Sequence, residues 1–335
     1  MTAISTDDHN RTNGSGKGYS NSYINGNGSA DQASSAAPVP APAPAKGFAL
    51  ANNTFSHLTL YTGNTMRTGT TGQLNTSLKK SNQELISAVQ ETLLYSLNTA
   101  RVKGDTITVT DETCLGPLEG ERSSYEITVK MFYLSSSSSS SAAGTPLSVE
   151  QLSVAIANLE SALGISNIKL DHFILSLPNQ TFDEHDLDAS EIVAFQHEIE
   201  ISVLPLWRKL SQLRAQGRIG RLGVAEFSKQ QLEVLKQVVQ REQLALPEVD
   251  QVNLQDCCVL PKDLISYAKE EGIELLTHGD STDILPQETF QSLLQPHLPA
   301  AARVLKPNFV LKYSAFITCR GLITKKGYII DASSV

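Results

Sequence analysis

Residues 217–227 read GRIGRLGVAEF, and this stretch with its continuation decides the fold. Its central part, 219–224, is mainly apolar and predicts a buried strand. Ser228 and Gln231 follow at the spacing of a capping box, which places the start of a helix just after that strand. A second apolar run at 249–254 predicts the next strand. A strand, a helix and a strand in this order indicate a parallel βαβ unit.

The same alternation extends outward in both directions. Further strands are predicted at 58–61, 125–134, 168–177 and 273–277, and further helices at 81–98, after Ser148, at 205–215 and from Pro261 to Gly272. The strands are nearly continuous apolar runs, as expected when both faces of a parallel sheet are buried. A (β/α)₈ TIM barrel and an open doubly wound sheet both fit this α/β pattern. We favour the barrel because the sequence lacks a glycine-rich strand-to-helix turn, G-x-G-x-x-G or P-loop.

Composition divides the chain into a tail and one folded domain. The N-terminal residues include few large apolar side chains and many Gly, Ser, Asn, Ala and Pro, so they bury too little surface to offset the entropy of ordering. We predict a disordered low-complexity tail at 1–55 and a single barrel domain at 56–335, since such a barrel needs about 250 residues. The serine run that begins at Ser135 predicts a loop insertion at 135–146.

Charge and cysteine content exclude several classes of protein. The net charge is −8 and the pI is near 5.4, with no basic block beyond Lys325-Lys326, so nucleic acid is not an expected partner. The sequence shows no secretory signal and no apolar run of membrane length, which predicts a cytoplasmic protein without a membrane partner. Its four cysteines are too few and too unevenly spaced for a disulfide framework or a zinc site. We therefore expect reduced thiols and no metal.

Two stretches resemble the aldo-keto reductase family. Residues 217–227 are similar to its G-K-I-R-x-I-G-V-S-N-F, and 249–254 to its V-N-Q-V-E-Y. That family uses a tyrosine as proton donor, tuned by lysine, aspartate and histidine. Lys130, in ITVK, matches the lysine of I-T-T-K, whereas Ser176 stands where the histidine is expected and no I-D-T-A with its tyrosine follows the first strand. His172 lies four residues before Ser176, about 13 Å along a strand, and cannot replace the histidine.

The residues that bind the nicotinamide cofactor in that family are also replaced. Its Ser-Asn pair corresponds to Ala225 and Glu226, which remove a hydroxyl donor and introduce a carboxylate where an amide is needed. Gln251 matches the family's glutamine. The stacking aromatic residue of A-Y-S-P-L has no counterpart in LTHGD, 276–280. The resemblance therefore implies relics at Lys130 and Gln251, no catalytic residues and no tightly bound NADP cofactor.

A second resemblance covers nearly everything from about residue 58 to the end. Its motifs are YTGN at 61–64, QVNLQDCCVLPKDL at 251–264, LLTHGD at 275–280, LKYS at 311–314 and CRGLITKKGYI at 319–329. In order and spacing they resemble the regulatory (modifier) subunits of glutamate–cysteine ligase, a family similar to a catalytically silent aldo-keto reductase. The resemblance implies a heterodimer with the ligase's catalytic subunit, a higher apparent affinity of that enzyme for glutamate and weaker feedback inhibition by glutathione.

Three groups of residues have both a functional and a structural interpretation. Cys257 and Cys258 follow a predicted strand and are candidates for a redox-sensitive link to the partner, although free cysteines are more often simply buried. Lys130 is better interpreted as a relic that pairs with a carboxylate inside the barrel than as a ligand-binding residue. The turn that contains His278 and Asp280 is either an anion- or partner-binding element or a solvated turn.

Three functions compete at this point. A non-catalytic regulatory subunit is the leading hypothesis, and an NADP-dependent aldo-keto reductase with displaced catalytic residues is its alternative. A metabolite-sensing barrel that acts alone is the third. Quenching of NADPH fluorescence by the purified protein would favour the reductase, and small-molecule binding without a partner would favour the sensor.

Overall fold

The computed structural model describes residues 50–66, 81–111, 116–134, 147–182, 186–253 and 260–334. The predicted tail up to residue 49 and the predicted serine insertion at 135–146 lie outside these ranges. Phe55, which the sequence analysis placed at the end of the tail, is buried in a hydrophobic cluster of the folded part. No helix within the described ranges is long and apolar enough to cross a membrane.

Strands and helices alternate through most of the described ranges. The strands are β1 (His57–Tyr61), β2 (Arg101–Lys103), β3 (Thr106–Thr110), β4 (Tyr125–Tyr133), β5 (Leu170–Ser176), β6 (Ile219–Ala225), β7 (Val249–Val252), β8 (Glu274–Thr277), β9 (Leu305–Ile317) and β10 (Leu322–Ser334). The helices are α1 (Ser81–Ser96), α2 (Val149–Leu163), α3 (Ala189–Glu198), α4 (Leu204–Ala215), α5 (Lys229–Arg241), α6 (Lys262–Glu271), α7 (Gln287–Leu294) and α8 (Pro299–Ala302).

Local capping signals set the ends of several helices. The Ser148 side chain accepts a hydrogen bond from the backbone N–H of Gln151, and α2 ends at Gly164 with a φ of 64°. Ser228 forms a complete capping box with Gln231 at the start of α5. Gly272 ends α6 in the left-handed conformation. The predicted positions of these helix ends are confirmed.

Other elements differ from the sequence pattern or were not predicted. The helix predicted at 205–215 is the last part of a longer helical segment, because α3 and a π-helical turn at Ile199–Val203 lead directly into α4. The strand predicted at 249–254 ends at Val252. The sequence analysis also assigned no element to β2, β3, β9, β10, α7 or α8.

The strands form one sheet in the order β2-β3-β1-β10-β9-β4-β5-β6-β7-β8. Neighbouring strands from β4 to β8 are parallel, as the βαβ pattern predicts. β9 and β10 form a long antiparallel hairpin that pairs with β4 on one side and with β1 on the other. The α/β class is confirmed, but this hairpin interrupts the expected succession of parallel strands. Within the described ranges β2 and β8 are the two edges, so these pairings do not close a barrel.

Helices cover both faces of the sheet. Side chains alternate between faces along a strand, and in β9 Phe309 and Leu311 belong to one hydrophobic cluster whereas Val310 belongs to another. The first core packs α2 to α6 against one face, and the second core packs α1, α7 and α8 against the other. A (β/α)₈ barrel has its helices in an outer ring only. In this respect the layers agree with the doubly wound alternative.

The motifs at 61–64 and 319–329 join the hairpin to β1. The backbone N–H of Thr62 donates to Tyr328 O at 3.0 Å, and the backbone N–H of Tyr328 donates to Thr62 Oγ1 at 2.9 Å. Gly327 lies so close to Gly63 O that a Cβ atom there would overlap it. Glycine is therefore required where the two chain segments cross, and these motifs have a structural role.

Candidate functional site

Five ionisable residues meet near the carboxyl ends of three parallel strands. This central charge cluster consists of Lys130, Glu226, His278, Asp280 and Lys312. Lys130 lies in β4 directly opposite Lys312 of β9, Glu226 follows β6, and the other two follow β8. Phe132, two residues after Lys130, belongs to the second core, so the cluster lies on that face of the sheet.

Asp280 joins two lysines through one carboxylate. Lys130 Nζ donates to Oδ2 at 3.0 Å, and Lys312 Nζ donates to Oδ1 at 2.6 Å. The side chains of Lys130 and Asp280 are 4% and 2% exposed, and that of Lys312 is 21% exposed. Burial opposes ionisation of Asp280, but the charges of Lys130 and Lys312 outweigh it and lower the pKa of this carboxyl. Burial lowers the pKa of Lys130, and the Asp280 carboxylate counteracts that change.

His278 connects Asp280 to Glu226. Its Nδ1 accepts a hydrogen bond from the backbone N–H of Asp280 at 3.1 Å, which assigns the ring proton to Nε2. Nε2 lies 2.8 Å from Glu226 Oε1 and therefore donates to that carboxylate. Lys130 Nζ is 3.3 Å from the same nitrogen. The cluster is thus continuous from β4 and β9 to the end of β6.

Glu226 occupies the turn between β6 and α5 in an unusual conformation. Its φ is 68°, in the left-handed region that residues other than glycine rarely adopt. Oε2 accepts from the backbone N–H of Phe182 at 2.9 Å, and the Glu226 carbonyl accepts from Gln180 Nε2 at 2.8 Å. The backbone N–H of Glu226 donates to Gln251 O at 2.8 Å. These bonds hold a conformation that costs about 1–3 kcal/mol.

The cluster shows that the sheet is strongly curved. In sheet order β4 and β8 are separated by β5, β6 and β7, so in a flat sheet they would lie about 19 Å apart. His278 follows the last residue of β8, yet its ring contacts the Lys130 side chain at 3.3 Å. Two side chains cannot span the flat-sheet distance. The cluster therefore lies on the concave side, where the edge strand β8 approaches β4 and β9.

Asp250 lies in β7 behind the cluster. It pairs in register with Val224, a member of the first core, so its carboxyl group faces the helix layer. Oδ1 accepts from the backbone N–H of Phe227 at 3.5 Å, and Oδ2 has no hydrogen-bond partner within the described residues. Complete burial raises the pKa of Asp250 well above its ordinary value, although the Phe227 N–H opposes the increase. Burial thus shifts the equilibrium of this group towards the neutral acid.

The structure brings together only some of the residues singled out in the sequence. Lys130 has the carboxylate partner that its interpretation as a relic required, and Glu226 contacts His278. Gln251 contributes its backbone carbonyl, which lies 3.2 Å from His278 Nε2. Ser176 and Ala225 are buried at the ends of β5 and β6. Cys257 and Cys258 lie outside the described residues.

Burial corrects one expectation about the turn after β8. The sequence left His278 and Asp280 as an anion- or partner-binding element or a solvated turn, and side chains that are only 8% and 2% exposed do not fit a solvated turn. Both point into the cluster, because the two lysines need a carboxylate there. Neither Lys312 nor Asp250 was predicted from the sequence as a residue of this site. The alternating pattern of 305–317 would have placed Lys312 on one face of a strand, but only the register shows that it faces Lys130.

Among the described residues, the charged groups of the cluster contact one another. The lysines Lys130 and Lys312 face the carboxylates of Asp280 and Glu226, so the positive and negative charges balance. Within the described residues, the polar neighbours of Lys130 Nζ are Asp280 and His278. Tyr61 donates instead to Asn158 of α2, and burial raises its pKa to about 12. The arrangement binds its own side chains together.

Comparison with known proteins identifies relatives of one kind. No protein-family model matches the chain. The human glutamate–cysteine ligase regulatory subunit is 33% identical over 213 residues, which cover 63% of this chain and 68% of that protein. A putative glutamate–cysteine ligase regulatory subunit of Schizosaccharomyces pombe is 28% identical over 304 residues, which cover 85% of this chain and 99% of that protein.

A solved structure is also similar over a smaller part. The glycerol dehydrogenase from Gluconobacter oxydans shares 18% identity with a TM-score of 0.26, over 38% of this chain and 32% of that chain. This likeness is too low to support a conclusion.

Fold and site together define the class of protein. The chain is an α/β protein in which the carboxyl ends of the parallel strands are filled by a buried network of its own charged side chains. By its sequence relationship, it belongs to the glutamate–cysteine ligase regulatory subunit family.

Proposed function

We propose that this chain is a non-catalytic subunit that binds the catalytic subunit of glutamate–cysteine ligase as a heterodimer in the cytoplasm. Membership of the regulatory-subunit family is the observation that carries this proposal. The central charge cluster supports the non-catalytic role, because among the described residues Lys130 Nζ contacts Asp280 and His278 and no tyrosine hydroxyl that could serve as proton donor. Because these side chains bond to one another, we infer that the chain acts by binding its partner and not by catalysis.

The proposed effect on the partner is a higher apparent affinity for glutamate and weaker feedback inhibition by glutathione. A subunit without chemistry can change another enzyme's affinity only by binding one of its conformations better than another. A tenfold gain in affinity requires about 1.4 kcal/mol of such differential binding. A few contacts at an interface can supply this amount.

The coupling between ligand affinity and heterodimer affinity is reciprocal, so it can be tested by measuring heterodimer affinity. If this chain raises the affinity for glutamate, glutamate must tighten the heterodimer by the same factor, and glutathione must loosen it. We would titrate this chain into the purified catalytic subunit without ligand, with saturating glutamate and with saturating glutathione. The dissociation constant of the heterodimer should fall with glutamate and rise with glutathione.

A matched control separates the outcomes. The Arg214→Gln variant changes an exposed ion pair far from the central charge cluster and should bind the catalytic subunit as the wild type does. The absence of any complex with the wild type would exclude the regulatory function. A heterodimer whose dissociation constant changes with neither glutamate nor glutathione would exclude the proposed coupling.

A further inference from the structure

Two lysines face each other on neighbouring strands, and the Asp280 carboxylate lies between them. Lys130 of β4 and Lys312 of β9 are register partners, which places their Cβ atoms about 4.5–5.5 Å apart. Like charges directly opposite each other in a sheet repel, and burial weakens the screening by water. An anion between the two ammonium groups relieves this repulsion.

Asp280 supplies that anion in the way a bound ligand would. Each of its oxygens accepts from one lysine, at 3.0 Å and 2.6 Å. The cations come from two hydrogen-bonded strands, whereas the carboxylate comes from the irregular segment 278–286 between β8 and α7. Gly279 beside it has open space around it. Regular elements thus hold the cations, and a segment without regular structure holds the anion.

We propose that Lys130 and Lys312 form a binding site for a small anion of the phosphate or carboxylate class, which Asp280 occupies when no external anion is bound. An ammonium group is a compact point charge with three donors, suited to phosphate and carboxylate oxygens. Lys312, 21% exposed, forms the side of the site that solvent reaches. This activity belongs to the chain by itself and goes beyond the proposed partner function.

Competition for the two lysines links ligand binding to a change in structure. An external anion that binds them must displace the Asp280 side chain and with it part of segment 278–286. The bond from Asn253 Nδ2 to the Asp280 carbonyl, 2.6 Å long, opposes this movement. Because binding free energies are reciprocal, loosening the segment must strengthen anion binding. Removing the Asp280 carboxylate must strengthen it most.

The first test uses inorganic phosphate as the probe and thermal unfolding of the full chain as the readout. Asp280→Ala should lower the unfolding temperature, and phosphate should restore several degrees of it relative to chloride at equal ionic strength. The matched control carries Lys130→Met and Lys312→Met in addition to Asp280→Ala. It should respond equally to the two salts. Asp280→Asn, which preserves the size of the side chain, replaces Asp280→Ala if that variant does not fold.

The second test uses the wild type and measures hydrogen exchange of the backbone amides of residues 279–285. Phosphate should accelerate exchange there without accelerating it in β4 and β9. Acetate at the same ionic strength distinguishes the two classes of anion. An equal effect of acetate indicates a site for carboxylates, and a weaker effect indicates a site for phosphate. The proposal is overturned if the Asp280 variants respond to phosphate no more than to chloride. It is also overturned if wild-type exchange stays unchanged even at phosphate concentrations well above those that saturate the variants, where the anion should outcompete Asp280.

Discussion

Ionic groups at the two ends of the parallel strands have the same chemistry in different surroundings. At the amino-terminal ends, the pairs Arg214–Glu248 and Arg218–Glu160 have side chains that are 24–39% exposed. In the central charge cluster, Lys130 and Asp280 are at most 4% exposed. Exposed pairs contribute about 0–1 kcal/mol, whereas removing one partner of a buried pair costs about 3–5 kcal/mol. Ion pairs that contribute little to stability therefore lie at the amino-terminal ends of the parallel strands. The ion pairs whose disruption is costly lie at the carboxyl ends.

The largest effect is expected for Asp280→Ala, because it leaves the buried Lys130 and the partly exposed Lys312 without their shared carboxylate. We predict a loss of about 3–5 kcal/mol in the free energy of unfolding, measured by urea titration. The triple variant Lys130→Met, Asp280→Leu, Lys312→Met should recover most of this loss, since it removes all three charges together. A loss below about 1 kcal/mol for the single variant would mean that water reaches the lysines and that the two ends do not differ.

Asp250→Asn should change the pH dependence of stability. The pKa of Asp250 is raised in the folded state, so its contribution is fully present below its ordinary value of 3.8 and is lost as pH rises towards the folded pKa. Asparagine can still accept from Phe227 but does not titrate. Between about pH 4 and the folded pKa of Asp250, the variant should gain on the wild type by up to about 1.4 kcal/mol per pH unit. Urea titrations from about pH 4 to 7 would measure this, and parallel stability curves would contradict it.

The pKa of Asp280 is shifted in the opposite direction to that of Asp250, so Asp280 provides an internal control. Its pKa is lowered in the folded state by Lys130 and Lys312, against the effect of burial. Its stabilisation is therefore present above the ordinary value of 3.8 and is lost as pH falls below it. The Asp250→Asn variant should retain this loss of stability at acid pH.

Glu226→Gln should have an intermediate effect. The carboxylate accepts from His278 and from the backbone N–H of Phe182. A glutamine side chain can accept from only one of these donors with its oxygen, and its amide group would face the other. We predict a loss of about 1–3 kcal/mol in the free energy of unfolding. Unchanged stability would show that His278 can adopt its other tautomer at little cost.

The smallest effect is expected for Arg214→Gln at the amino-terminal end. Arg214 donates to both oxygens of Glu248 at 3.1 and 3.2 Å, but the pair is partly exposed. We predict a loss of about 1 kcal/mol or less, which should shrink further at high salt. A loss as large as that of Asp280→Ala would remove the proposed difference between the two ends.

Sequence predicted the features that depend on neighbouring residues. The caps at Ser148 and Ser228 and the helix end at Gly272 are local, because the interacting atoms lie within a few residues of each other. β4 is recognisable because apolar residues alternate along it, and β5 and β6 because most of their residues are apolar. Their parallel pairing followed from the helices between them.

What sequence did not predict depends on pairing between distant parts of the chain. Nothing local places β9 between β10 and β4, and the position of Lys312 opposite Lys130 follows from that pairing alone. His278 and Asp280 have the composition of a surface turn. They are buried because the curvature of the sheet brings them to the two lysines.

The central hairpin has a consequence for how the protein is made. β9 and β10 are synthesised after the other strands that the structure describes, yet they separate β1 and its neighbours from β4 to β8 in the finished sheet. Until they leave the ribosome, β1 and β4 both lack the partner that they have in the native sheet. During translation the nascent chain therefore carries two unfinished sheet edges, open to mispairing and in need of protection by chaperones.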